Sequence, residues 1–305
     1  GPASALYGSD GLAGAVSFYT PNPRELLNIF ESNSYTAISA NYKQEDHSFG
    51  ATLRTALRMG DHEVLLIAGT QRSHELENFG NIDATGATRT LANPQNGKSD
   101  NLLAKWVTQF SPNNRMIATA EVLQHQADTN VLSAVASPSP FSPVGALHMR
   151  AFDDIKRNRF TLQQELSSLN LSFADKVEWN IYAQKSSNRQ LSFETRTNGT
   201  TRIRDQNYLE RVQGLSVQAS KSFYGHISQK WIYGVDASSA VYVGNTDGTI
   251  PPSGESFPIK RFPDTDYHLL GVFIQNEIGL NEDTLLIIPA LRYDGYHLKP
   301  DSSPL

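Results

Sequence analysis

From Tyr35 onward the chain alternates in polarity over stretches of about 10 to 15 residues, the period of an extended strand whose two faces meet different surroundings. Over Ser48 to Arg58, Phe49, Ala51, Leu53 and Leu57 fall on one face, while Ser48, Gly50, Thr52, Arg54 and Arg58 fall on the other. Val177 to Gln184 splits more cleanly, with Val177, Trp179, Ile181 and Ala183 opposing Glu178, Asn180, Tyr182 and Gln184. One face suits lipid and the other suits water. Similar segments lie near 35 to 44, 63 to 76, 101 to 110, 115 to 127, 155 to 169, 207 to 221, 226 to 243, 265 to 279 and 284 to 297, which predicts about eleven strands.

The connections alternate too. Met59 to His62, Ser111 to Asn114, Ser222 to Gly225 and Asn281 to Asp283 predict tight turns, and Asn170 to Asp175 is slightly longer. Between them, Glu77 to Asp100, Asp128 to Asp154, Arg189 to Gln206 and Gly244 to Asp264 are rich in Gly, Pro, Asn, Ser and Thr and predict long loops, with a short connection at Glu45 to His47 as the exception on that side. Short turns at one end and long loops at the other are the asymmetry of an outer-membrane β-barrel. A large soluble β-sandwich or adhesin also alternates, but its strands run to about 5 or 6 residues, whereas 10 or more suit a tilted membrane crossing. Tyr35, Phe110, Phe160, Phe173, Phe223, Tyr224, Trp231 and Tyr293 fall toward predicted strand ends, as in interfacial girdles, whereas Trp179 and Phe273 do not.

Composition narrows the classes. With 39% hydrophobic residues, 12 Tyr and 14 Phe, the chain has enough apolar material to fold. A formal net charge of -5 argues against nucleic-acid binding, which needs an excess of Lys and Arg on one face. The absence of Cys removes disulfides, thiolate metal sites and Cys nucleophiles together. No apolar run reaches the roughly 18 residues of a spanning helix, which leaves a strand-built membrane protein open.

Residues 1–23, GPASALYGSDGLAGAVSFYTPNP, differ from the rest in being small, Gly-rich and nearly uncharged. The spacing of Gly8, Gly11 and Gly14 is neither a dinucleotide fingerprint nor a Walker loop. It predicts a tight turn before a short strand, Ala15 to Tyr19. The segment closely resembles the end of the plug domain in TonB-dependent outer-membrane receptors, carried by Gly1, Pro2, Tyr7, Gly8, Gly11 and Gly14. Pro21 to Leu27 (PNPRELL), Gln71 to Gly80 (QRSHELENFG) and Phe273 to Ile278 (FIQNEI) resemble the haem, haemoglobin, transferrin and lactoferrin branch of that family.

The resemblance implies an all-β fold: a transmembrane antiparallel barrel of about 22 strands, of which roughly half would be present, with the C-terminal end of an N-terminal plug. Residues 1–23 would close the plug, 24–34 link it to the barrel, and 35–305 form the first half of the barrel, stopping in an extracellular loop. It further implies a bacterial outer-membrane location, surrounding outer-membrane lipid, haem or haemoglobin as ligand, and TonB as energising partner through the upstream region. Haem would be cargo, and no resident cofactor is expected.

Eight His occur, at 47, 62, 74, 125, 148, 226, 268 and 297, and none forms the zinc-protease pair with Glu. His148 is expected in the longest loop, His74 and His125 near outer strand ends, His297 at the last outer edge, and His62 and His226 at periplasmic turns. For each outer His a solvated or structural role is favoured over iron ligation. The family's Phe-Arg-Ala-Pro and Asn-Pro-Asn-Leu haem motifs do not occur in these 305 residues, so the resemblance assigns no haem ligand here. Lys156, Arg157 and Arg159, with Arg150 nearby, form the densest basic cluster and could meet propionates, siderophore anions or lipid phosphate. His74, His148, Arg150, Lys156 and Arg157 are therefore the ligand-contact candidates. Arg54, Arg58, Glu121, Glu178 and Glu277 are expected to fill a polar lumen. No Gly-x-Ser-x-Gly elbow supports a hydrolase, and no catalytic or metal site is expected. A ferric-siderophore receptor stays open as the alternative within transport, and a passive porin or adhesin as one outside it.

Overall fold

The computed structural model describes residues 19–140, 142–225, 227–280 and 284–301. The plug-like motif at Gly1 to Gly14, the Ala15 to Tyr19 strand apart from Tyr19, His226, the Asn281 to Asp283 turn and the expected stop at 302–305 lie outside the described residues. No helix among the described residues is long and apolar enough to cross a membrane.

One antiparallel sheet carries twelve strands: β1 (Ser34–Lys43), β2 (Ser48–Met59), β3 (His62–His74), β4 (Gln95–Ser111), β5 (Asn114–Asn130), β6 (Ala146–Leu166), β7 (Lys176–Arg196), β8 (Thr201–Phe223), β9 (Ser228–Gly248), β10 (Thr265–Leu280), β11 (Leu285–Ile287) and β12 (Ala290–Pro300). Each of β1 to β11 pairs with the next in sequence, and β12 pairs with β10. β11 and β12 keep one register on β10, Ile278 facing Ile287 and Gln275 facing Ala290. Pro289, which has no N–H to give the ladder, separates them. The twelve segments thus fill eleven lanes, as the alternation predicts. β1 and β12 are not paired with each other, so the sheet is an unclosed arc.

Among the described residues one α-helix, α1 (Pro23–Ile29), precedes the sheet, mostly inside the segment 24–34 expected to be a linker. Pro23 sits in its first turn, and Glu25 reaches back to the Asn22 N–H at 3.4 Å, satisfying an orphan donor. Leu27 is fully buried against Ala56 of β2 and Leu65 of β3, with Tyr35, Ile67 and Leu103 around them. Arg24 donates to Glu63 at 3.1 Å, Arg58 reaches the same carboxylate at 3.0 Å, and Lys105 Nζ meets the Thr20 carbonyl at 3.0 Å. This face is called inner. Leu27→Ala is expected to cost about 2–5 kcal/mol, because the cavity cannot collapse against a pleated wall. The check is a lower urea midpoint together with faster proteolysis at residues 30–33.

Strand registers propagate the two faces across the sheet. Leu53, Ile181, Leu215 and Val272 point outward, and Thr52, Asn180, Ser216 and Asp236 point inward, so both test stretches split as expected. The outer face leaves Ile38 79%, Trp106 55% and Leu291 72% exposed, a continuous apolar band that water would not tolerate but hydrocarbon would.

Several expectations fail. β6, β7, β8 and β9 are 21, 21, 23 and 21 residues long, about twice what a crossing requires. The long loop expected at Arg189 to Gln206 is therefore only a turn at 197–200 between β7 and β8. His148 and Arg150 belong to β6 rather than to a loop. Above the apolar band both strand faces meet water, the alternation fades, and the sequence looks like a loop. Tyr35 does not join a girdle: it is on the inner face, its ring stacked 5.2 Å from Phe30, and Phe160 is inside β6 rather than near its end.

Candidate ligand-capture site

Segment 249–264 folds back over the inner face of the tall β7–β9 wall. Its start is tied down by Arg204, which donates to the Thr249 carbonyl at 2.5 Å and the Ile250 carbonyl at 2.8 Å. Gly248, at φ 150°, passes so close to Ile203 that a Cβ would lie 2.1 Å from its carbonyl oxygen, so no side chain fits. Further along, Thr246 and Ile259 exchange backbone hydrogen bonds of 2.8 and 2.7 Å. Lys260 Nζ lies 2.7 Å from Asp264, which raises the lysine's pKa and clips the segment shut.

Aromatic packing sets the floor. Phe262 lies on Gly244, where a Cβ would come within 2.3 Å of its ring, and meets Tyr208 edge-on at 6.1 Å. The Arg204 guanidinium sits 5.1 Å from the Phe257 ring. A cavity of about 260 Å³ results, bounded by Asn188, Gln190 and Gln206 on the wall and Pro252 and Arg261 on the segment. This is below the roughly 300–1,000 Å³ of a whole small-ligand site, so it accepts one edge of a larger ligand.

The charge balance is positive. Arg204 donates to carbonyl oxygens and to no carboxylate among the described residues. Arg196 and Arg202 share the single buried carboxylate of Glu194. Arg261 holds Glu255 at 3.4 Å on the exposed side. Flat aromatic rings beside a forked cation suit a planar or aromatic carboxylate, by stacking and charge-assisted hydrogen bonding.

The structure scatters the five sequence candidates. His74 ends β3 on the outer side opposite Asn96, and His148 lies on the outer side of β6 opposite Thr195. Arg150 is taken by Asp128 at 2.8 Å and lies 4.7 Å from the Phe152 ring. Lys156 is taken by Asp154 at 2.7 Å. Arg157 alone of the five points inward, 3.6 Å from Glu121. Alternation thus splits the basic cluster between two faces. His125 also points inward and pairs with Ser99 at 2.8 Å, and His297 stacks on His268 at 6.5 Å. No group of three or more His, Cys, Asp or Glu among the described residues could hold a metal.

Arg204, Tyr208, Phe257, Arg261 and Phe262 escape the sequence reading. Their signal is the run Arg202, Arg204, Gln206, Tyr208 alternating with Ile203, Asp205, Asn207, Leu209, visible once the segment is known to be a strand.

Comparison with known proteins agrees with this architecture. Residues 108–305 match the family model described as TonB dependent receptor-like, beta-barrel. Hemoglobin-binding protein A of Haemophilus influenzae is 28% identical over 137 residues, covering 44% of this chain and 13% of that protein. The Hemin receptor of Yersinia enterocolitica is 26% identical over 303 residues, covering 97% of this chain and 38% of that protein. The Hemin receptor of Yersinia pestis is 21% identical over 299 residues, covering 97% and 39% respectively. The chain therefore spans well under half of the relatives it matches. An antiparallel meander with an apolar outer band and a polar inner wall, matched to that model over most of its length, belongs to the TonB-dependent receptor β-barrel family.

Proposed function

We propose that the chain is the first barrel half of an energy-coupled receptor that takes up haem, free or from haemoglobin. The observation carrying this is the cationic, aromatic cavity of Arg204, Phe257, Arg261 and Phe262 at the loop end of the inner face, which suits the carboxylate edge of a large planar ligand. The similarity to hemin receptors and hemoglobin-binding proteins supports the same cargo. The family is one of outer-membrane receptors and transporters, which supports an orientation with the loop end outside the cell.

In this proposal, residues 1–23 end a plug, 24–34 carry α1 onto the inner wall, and 35–305 begin the barrel. The tall wall and segment 249–264 capture cargo, with Arg157 available lower on the same face. The plug blocks the lumen until TonB, energised from the inner membrane, rearranges it. Specificity lies in the loops rather than in pore width. A ferric siderophore with aromatic, anionic groups is the second possibility, because the same cavity chemistry would accept it. A passive porin or adhesin has no need of α1 anchored by Leu27 and Arg24.

The test is growth of an iron-starved outer-membrane mutant carrying the complete parent gene, with and without TonB. Growth on haem only when TonB is present is expected. Growth on ferric siderophore but not on haem would keep the fold and overturn the cargo.

A further inference from the structure

Two cations stand side by side on the outer face where the apolar band ends. Lys185 of β7 and Arg211 of β8 are direct register partners, both exposed. Three outward cations nearby on β6 and β7 hold carboxylates: Arg150 with Asp128, Lys156 with Asp154 at 2.7 Å, and Arg189 with Asp205 at 2.6 Å. The Lys185 and Arg211 side chains have neither an ion-pair nor a hydrogen-bond partner among the described residues. Like charges directly opposite on a sheet, with Cβ atoms about 4.5–5.5 Å apart, destabilise it. An anion between them would remove that cost.

The surface beside them is concave and mixed in polarity. A depression of about 660 Å³ is floored on the outer side by Ala120, Val122, Phe160, Ala183 and Val241, with Asn158, Gln213 and Ser239 among them. On β7, Ala183, Ile181 and Trp179 continue the outer face below Lys185, and on β8 Gln213, then Leu215 and Val217, do so below Arg211. The pair therefore marks the height at which hydrocarbon gives way to headgroups.

We propose that Lys185 and Arg211 bind the phosphate of a lipid in the outer leaflet, with an acyl chain lying along the depression. The guanidinium fork grips phosphate oxygens in two-point fashion while the lysine supplies a point charge. This site rests on the outer-membrane orientation given above and is independent of the cargo.

The complete receptor in neutral detergent is titrated with bis-phosphorylated lipid A, with the same lipid stripped of phosphate, and with inorganic phosphate, reading the thermal midpoint each time. The midpoint is expected to rise with the phosphorylated lipid alone. The Lys185→Gln/Arg211→Gln double variant is expected to need roughly tenfold more lipid for the same rise. Lys156→Gln, whose cation is already neutralised, is expected to behave as wild type. No rise in the wild type, an equal rise with stripped lipid or inorganic phosphate, or an unchanged double variant would each overturn the site. If the double variant misfolds, Arg211→Gln alone gives the same comparison. Haem binding is expected to be unaltered in these variants, which separates failure of this site from failure of the cargo assignment.

Discussion

Arginine in place of Leu53 is expected to destabilise the complete receptor in phospholipid vesicles by about 2–4 kcal/mol, the range for a charge facing lipid near the bilayer midplane. Leu53 lies on the outer face between Phe49 and Leu57, and its register partners are Ile38 and Ala68. No neighbouring group can pair the new charge, and the side chain must bend toward an interface or draw water in. The adjacent Thr52 faces inward opposite Ser39 and Gly69, beside Arg54 on the same face, so Thr52→Arg is expected to change stability by about 0.5 kcal/mol or less. Urea unfolding from vesicles measures both. Equal costs at the two positions would mean that the outer face does not meet lipid.

Removing the forked cation or the aromatic floor of the capture cavity is expected to weaken haem binding by the complete receptor roughly tenfold or more for each of Arg204→Ala and Phe262→Ala, as for Arg and aromatic anchors at other binding sites. Arg204 acts twice, since its guanidinium also carries the Thr249 and Ile250 carbonyls that hold the segment down. Arg204→Lys keeps the charge but loses the fork, and is expected to recover only part of the affinity. Absorbance titration with haem in detergent is the measurement. Unchanged affinity in both alanine variants would move capture to another part of the receptor.

Most of the architecture is legible in the sequence where the surroundings differ across a strand. Val177 to Gln184 divides cleanly because Trp179 and Ile181 meet hydrocarbon while Asn180 and Tyr182 meet the polar interior. Turns such as the one after Met59 are marked by Gly60, whose φ of 60° favours glycine. The α1 helix is hinted at by Asn22-Pro23 followed by Glu25, but seven residues are too few to show a helical period. The candidate site is harder. All five candidates are selected by side-chain type, His148 and Arg150 in what looks like loop, yet four lie on the outer wall, and Arg150 and Lys156 are already neutralised by Asp128 and Asp154.

By itself the sequence determined the strand count, the meander and the face turned to lipid, because a period of two with unlike solvents on its two sides writes itself into residue choice. Only the tertiary structure decided how far β6 to β9 rise above the apolar band and which residues meet there. Above that band water bathes both faces, so no hydropathy contrast records the strand. Asn188, Arg204, Gly244 and Phe262 are far apart in the chain, and strand register and the folded-back segment alone bring them to one cavity.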